Sequence, residues 1–222
     1  MNMNMGTHRH ALKVSGLTML GMALLAIPFF GGFRAGTQYE AGVQAQQVRQ
    51  VLDTERQVLD LVVRRNPAAT IRDFAGFPGH LIAEAERHRI DFRLVLALID
   101  HESAFDPRAV GARGEVGLMQ VLPATGQAVW AKLSEGALWE PPARAKAGGY
   151  ASLGTLGDPR LNVTIGLTHL AGLRDEFRGM GPAALRAYNR GSSHAREDRP
   201  RDQYAERVAL KFVRVAHEIA GR

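Results

Sequence analysis

The stretch from Leu98 to Thr125, LIDHESAFDPRAVGARGEVGLMQVLPAT, sets an acid at the end of an apolar helix and follows it with a turn-rich loop. No other feature constrains the chain as much. Asp91 is suited to cap a helix reading IDFRLVLALIDHES, because a capping Asp accepts hydrogen bonds from the first free backbone donors. On that helix Val95, Leu98, Ile99 and Glu102 fall at i, i+3, i+4 and i+7, so Glu102 shares the buried stripe. Burial disfavours the charged form of a carboxyl, and the negative end of the helix dipole repels it further. Both effects raise its pKa, and a carboxyl kept protonated near neutral pH can act as a general acid. A buried Glu paired with an Arg is the competing structural reading. Asp100 falls about 200° around the helix and faces elsewhere. His101, in the last turn, is accounted for by the helix dipole alone.

The run E-S-x-F-x-P-x-A-V-G-x-x-G-E-V-G-L-M-Q-V-x-P-x-T resembles the catalytic signature of the soluble lytic transglycosylases (SLT domains) and their lysozyme-like relatives. The residues that carry it are Glu102, Ser103, Phe105, Pro107, Ala109, Gly114, Gly117, Leu118, Met119, Gln120, Pro123 and Thr125. A dozen identities at fixed spacing are far more specific than a lone short motif. Three later stretches match in the right order: Asp158 to Asn162 (D-P-x-x-N), Ala187 to Gly191 (A-Y-N-x-G), and Tyr204 followed by Val208.

The resemblance implies that Glu102 is the sole catalytic acid of a reaction on murein. Ser103 would help orient the sugar. Met119 and Gln120 would line the cleft, with Gln120 bonding substrate. Gly117 would stand where a side chain obstructs the chain or the sugar. Asn162, Tyr188, Asn189 and Tyr204 would order or line the cleft, and for Asn162 and Tyr204 a purely structural role competes. The resemblance implies no cofactor and no metal.

Other acids have simpler readings. Asp106, before Pro107, forms a turn, and Asp91 and Asp158 are caps. Glu115 could line the cleft, and a second acid there would reopen ordinary hydrolysis. Some positions depart from the family pattern. Gly111 replaces a common serine, Arg190, Ser192 and Ser193 replace small and Pro-Gly residues, and His169 replaces an aromatic and receives no role. These departures touch subsite preference rather than the core chemistry.

Charge fits a murein partner. The 222 residues carry a net charge of +6, and murein presents free carboxylates on its peptide stems. Nucleic acid is the other acidic partner, but no groove-reading motif or zinc-ligand spacing occurs, so none is expected. Without cysteines, neither a disulfide nor a lipid-attachment cysteine is available. Val14 to Phe33 is uncharged and mostly apolar, about 20 residues and long enough to span a bilayer. It reads as a retained inner-membrane anchor with the domain on the periplasmic face. The alternative is a cleaved signal peptide exporting the domain to the periplasm.

The expected fold is mainly α, a lysozyme-like helical domain of SLT or goose-lysozyme type with room for a small hairpin near Gly111 to Gly117. Residues 1–36 form the anchor or signal segment, 37–76 a stem helix and linker, and 77–222 the catalytic domain. From Thr37 to Arg65 one mostly apolar stripe runs through Val48, Val51, Leu52, Glu55, Val58, Leu59 and Val62; it packs on its own domain or, alternatively, self-associates. Ser134 to Pro159 reads as a long surface loop bordering the saccharide cleft. Its Trp139, and Trp130 before it, either stack on sugars or belong to the core. The leading functional expectation is a lytic transglycosylase acting on peptidoglycan glycan strands. Its rivals are a goose-type muramidase that uses water and a murein-binding assembly factor without turnover. Loss of Glu102, Gln120 or Tyr188 would favour the last, and all three are present. A small domain on an anchor also suits a partner such as a secretion or conjugation apparatus, by analogy alone.

Overall fold

The computed structural model describes residues 34–68, 73–134, 136–144, 150–196 and 203–220. Val14 to Phe33 lies outside them. Among the described residues no helix is long and apolar enough to cross a membrane.

Helices dominate. They are α1 (Arg34–Arg65), α2 (Phe77–Arg87), α3 (Phe92–Glu102), α4 (Pro123–Leu133), α5 (Pro159–Glu176), α6 (Pro182–Arg190), α7 (Ser192–Ala195) and α8 (Gln203–Ala220). Their starts follow from local chemistry. Asp91 caps α3 by accepting from the Arg93 N–H, and Asp158 caps α5 by accepting from the Arg160 and Leu161 N–H groups. Proline occupies the first turn of α2, α4, α5 and α6, where its missing N–H costs nothing.

The chain divides into two compact units, residues 1–46 and 47–222. In the second, α5 is the central helix. It carries Val163, Ile165, Leu167 and Leu170 into the core and packs against α2, α4 and α6. Helix α3 buries Val95 to Ile99 and lies along α8, whose Val208 and Val215 face it from the same core. Val58, Leu61 and Val62 of α1 are fully buried in this core too. The C-terminal part of the helix expected as a stem therefore packs on the second compact unit.

An ion network ties these helices together behind the acid. Asp100 is buried and meets Lys211 Nζ of α8 at 2.9 Å and Arg65 Nε of α1 at 3.4 Å. Arg65 continues to Glu218 at 2.6 Å. Two residues after Asp100 along α3, the chain reaches Glu102 on another face.

The one two-stranded ribbon among the described residues pairs β1 (Ala143–Arg144) with β2 (Tyr150–Ser152), antiparallel. It lies inside the stretch expected as a surface loop. Around Gly111 to Gly117 there are only isolated bridges, Val110 to Val116 and Val116 to Val121. They are enough to fold that loop back on itself beside α3.

Candidate active site

Glu102 is the last residue of α3, and the chain turns sharply after it. Ala104 and Phe105 both take left-handed backbone (φ +50° and +62°), a costly pair held by the fully buried Phe105 ring. The Ser103 hydroxyl donates to the Leu118 carbonyl at 2.9 Å and approaches the Ile99 carbonyl at 3.2 Å. It thereby pins the following loop to the helix end.

That loop is built around Asn162, which is fully buried at the start of α5. Its side-chain oxygen accepts the Met119 N–H at 2.8 Å, and its amide donates to the Val116 and Leu156 carbonyls at 2.9 and 3.0 Å. Gly117 lies against this amide with φ +77°, and a side chain there would meet the amide and the Leu156 carbonyl. Both the space and the backbone angle demand glycine. The Met119 side chain is fully buried against Gly166, so it backs the cleft rather than facing it. Its carbonyl accepts the Tyr188 hydroxyl at 2.8 Å. Gln120 adopts φ +48°, and its amide donates to the Gly117 and Ala109 carbonyls at 3.0 and 3.2 Å. These bonds commit its N–H groups to the loop.

A cavity of 160 Å³ opens in front of these residues. Glu102, Gln120, Tyr188 and Asn189 line it, together with Gly111, Ala112, Arg113 and Glu115. A second cavity, of 230 Å³, shares Arg113, Glu115, Gln120, Tyr188 and Asn189 and extends past His169, Leu173 and Ser192. Of the nine residues singled out in the sequence, four line the first cavity. Tyr204 is buried behind it and donates its hydroxyl to Glu102 Oε1. Ser103, Gly117, Met119 and Asn162 form the backing.

Burial pushes the Glu102 carboxyl above the ordinary carboxylate range. The Tyr204 hydrogen bond opposes the shift, the Glu115 charge adds to it, and Arg113 opposes it, with a net rise. Glu115 behaves oppositely. Burial pulls it upward, but hydrogen bonds from its own N–H and from the Arg113 side chain and backbone outweigh that and leave it lowered. The two carboxyls are therefore pushed apart, Glu102 upward and Glu115 downward. Burial, and then the Glu102 charge, hold the Tyr188 phenol well above its usual value, so it stays a donor.

Sequence reasoning assigned no role to two residues at this site. His169 lies with its ring 5.6 Å from that of Tyr188 and lines the second cavity. Arg113 borders both cavities, donating to Glu115 at 2.5 Å and to the Asn189 carbonyl at 3.1 Å. Its spacing two residues before Glu115 was the available signal. Trp130 and Trp139 line neither cavity; both are half-buried against the core, and Trp130 bonds the Ala137 carbonyl. Among the described residues no cluster of three or more His, Asp or Glu is placed to hold a metal ion.

Known proteins resemble parts of this chain in sequence and in fold. The chain is 34% identical over 116 residues to membrane-bound lytic murein transglycosylase C of Glaesserella parasuis, covering 49% of this chain and 29% of that protein. To the protein of the same name from Actinobacillus pleuropneumoniae it is 35% identical over 116 residues, 49% of this chain and 28% of the relative. It thus spans less than a third of the length of these relatives. The fold is similar to that of an inactive variant of lytic transglycosylase Slt from Pseudomonas aeruginosa. That likeness has a TM-score of 0.51 at 23% identity and covers 64% of this chain and 24% of the other. Residues 80–209 match the family described as "Transglycosylase SLT domain", which takes in α3, the loop after it and the Asn162, Tyr188 and Tyr204 positions. By that match, over more than half its length, the chain belongs to the SLT transglycosylase domain family.

Proposed function

We propose that this chain is a murein lytic transglycosylase that cleaves the MurNAc-β-1,4-GlcNAc bond with Glu102 as acid and then base. The observation that carries the reading is the Glu102 carboxyl itself, raised in pKa by burial at the edge of a cavity and held by the Tyr204 hydroxyl. Glu102 gives its proton to the glycosidic oxygen as C1 of MurNAc gains oxocarbenium character, and the substrate's N-acetyl carbonyl stabilises that centre. The ionised Glu102 then takes the proton of the C6 hydroxyl, and O6 bonds to C1. One proton leaves and one returns, so the enzyme is regenerated and no water is consumed. A raised pKa suits both halves. Gln120, Tyr188 and Asn189 contact the sugar, while Ser103, Gly117, Met119, Asn162 and Tyr204 position them.

Glu115 supports a second reading, since a carboxylate sharing the cavity with the acid is what a water-using muramidase needs. Mass spectrometry of muropeptides released from purified murein decides between the two. A transglycosylase leaves 1,6-anhydro ends, one water lighter than the reducing ends of a hydrolase. Binding without release would instead support the assembly-factor reading.

The Tyr204 hydrogen bond lowers the Glu102 pKa, so Tyr204→Phe raises it. Activity that needs the protonated acid is lost as pH rises through that pKa. The alkaline limb of kcat/KM therefore moves to higher pH in the variant, and an unmoved or lowered limb would contradict the coupling.

The arrangement we propose along the chain is an anchor or signal segment over 1–36, a stem and linker over 37–76 and the catalytic domain over 77–222. The relatives' names include "membrane-bound", which supports a membrane association. The periplasmic side is proposed from where murein lies, and Val14 to Phe33 as the anchoring segment from its uncharged, mostly apolar sequence alone.

A further inference from the structure

One side chain at the site plays no part in the proton transfers above. Arg113 reaches from the loop after α3 to the C-terminal end of α6, through Nε–H to Glu115 Oε1 at 2.5 Å and Nη2–H to the Asn189 carbonyl at 3.1 Å. It borders both cavities, whereas Glu102 borders only the smaller one. The Arg113 side chain is 60% exposed and that of Glu115 only 10%, so the bar lies at the surface and its anchor beneath. The anchor is built in. Glu115 also accepts the Arg113 backbone N–H at 2.9 Å, and a Cβ at Gly111 would stand 2.5 Å from Glu115 Oε2. Glycine at 111 therefore leaves the room that this carboxylate occupies.

We infer that Arg113 is a crossbar that closes the cleft between its two cavities and makes the domain act on glycan strands presented by an end. The inference rests on the reading of the chain as a glycan-cleaving enzyme. An internal segment lying across both cavities has to lift the guanidinium off Glu115 and Asn189 together. That leaves the buried Glu115 carboxylate without its counter-charge, which a charge-assisted pair in this setting resists. A strand end meets no such requirement, because it stops at the bar with its terminal sugars beside Glu102. Arg113 is thus a specificity-determining residue rather than a catalytic one.

The test compares the full chain with Arg113→Ala and with Glu115→Ala, which removes the anchor without touching the bar. Each acts on long purified glycan strands, and both released disaccharide and the length of the remaining strands are followed. The ratio of internal cuts to disaccharide released is independent of overall rate, so a change in Glu102 acidity does not move it. The wild type should release disaccharide while the remaining strands stay long. Both variants should raise the ratio about tenfold, the equivalent of losing one hydrogen-bonded closure. Internal cutting by the wild type, or an unchanged ratio in both folded variants, would overturn the crossbar alone. Absence of any cleavage by the wild type would overturn the enzymatic reading and the crossbar with it.

Discussion

Glu102→Gln is expected to lower release of anhydro-muropeptides by about 10³-fold or more while leaving the fold intact, since general acid–base catalysis alone accounts for roughly 10² to 10⁴. Gln is nearly isosteric and keeps an oxygen for the Tyr204 hydroxyl, so murein binding should persist. The same substitution reports on the pKa through stability. A folded-state pKa raised above the unfolded value makes the wild type progressively less stable as pH rises through the raised pKa, because the fold disfavours the charged form. Below the unfolded carboxyl pKa both proteins carry a neutral group and their melting temperatures should coincide. Above the raised pKa the Gln variant should melt higher. Equal melting at every pH would mean that Glu102 is not strained by its burial, and retention of near wild-type turnover would mean that it is not the acid.

Asn162→Ala should have the largest effect on stability. The side chain is fully buried and satisfies three backbone groups, the Met119 N–H and the Val116 and Leu156 carbonyls. Each group left buried without a partner costs about 1–3 kcal/mol, so a loss of roughly 3–5 kcal/mol follows even with some relaxation. That is a large part of the 5–15 kcal/mol typical of a domain. Asn162→Asp should not rescue it, because the acceptor for Met119 survives but a carboxylate then faces two carbonyl oxygens. The loss also loosens the backbone of Gly117 to Gln120, so activity should fall in the still-folded fraction. Urea unfolding checks the first claim. A loss under about 1 kcal/mol would show that the loop does not depend on this amide.

Features carried by local rules were legible in the sequence. The caps Asp91 and Asp158 fix helix starts from neighbouring atoms alone. The position of Glu102 on the apolar stripe of α3 needed only the 3.6-residue repeat. The same rules left α1 open, because a stripe through Val58 and Val62 looks alike whether it meets its own domain or another copy. Its place in the core is set by residues far along the chain, as in the pairing of Arg65 with Asp100 and Glu218. The β1–β2 ribbon escaped notice because two- and three-residue strands carry no alternation to read. At the site, Met119 was expected to line the cleft, yet its direction is set by the space above Gly166, which only tertiary packing reveals. The Arg113 bridge to Asn189 joins residues that no spacing rule connects.

The central claim is that Glu102 moves one proton out and one back within a single sugar, with no water entering the product. Digestion of purified murein in water enriched in heavy oxygen tests it most directly, with the new sugar ends read by mass spectrometry. The account predicts 1,6-anhydro ends that carry no label, and about 10³-fold fewer of them from Glu102→Gln. Labelled reducing ends would contradict it, showing that water attacks C1 and turning attention to Glu115 as the second carboxylate.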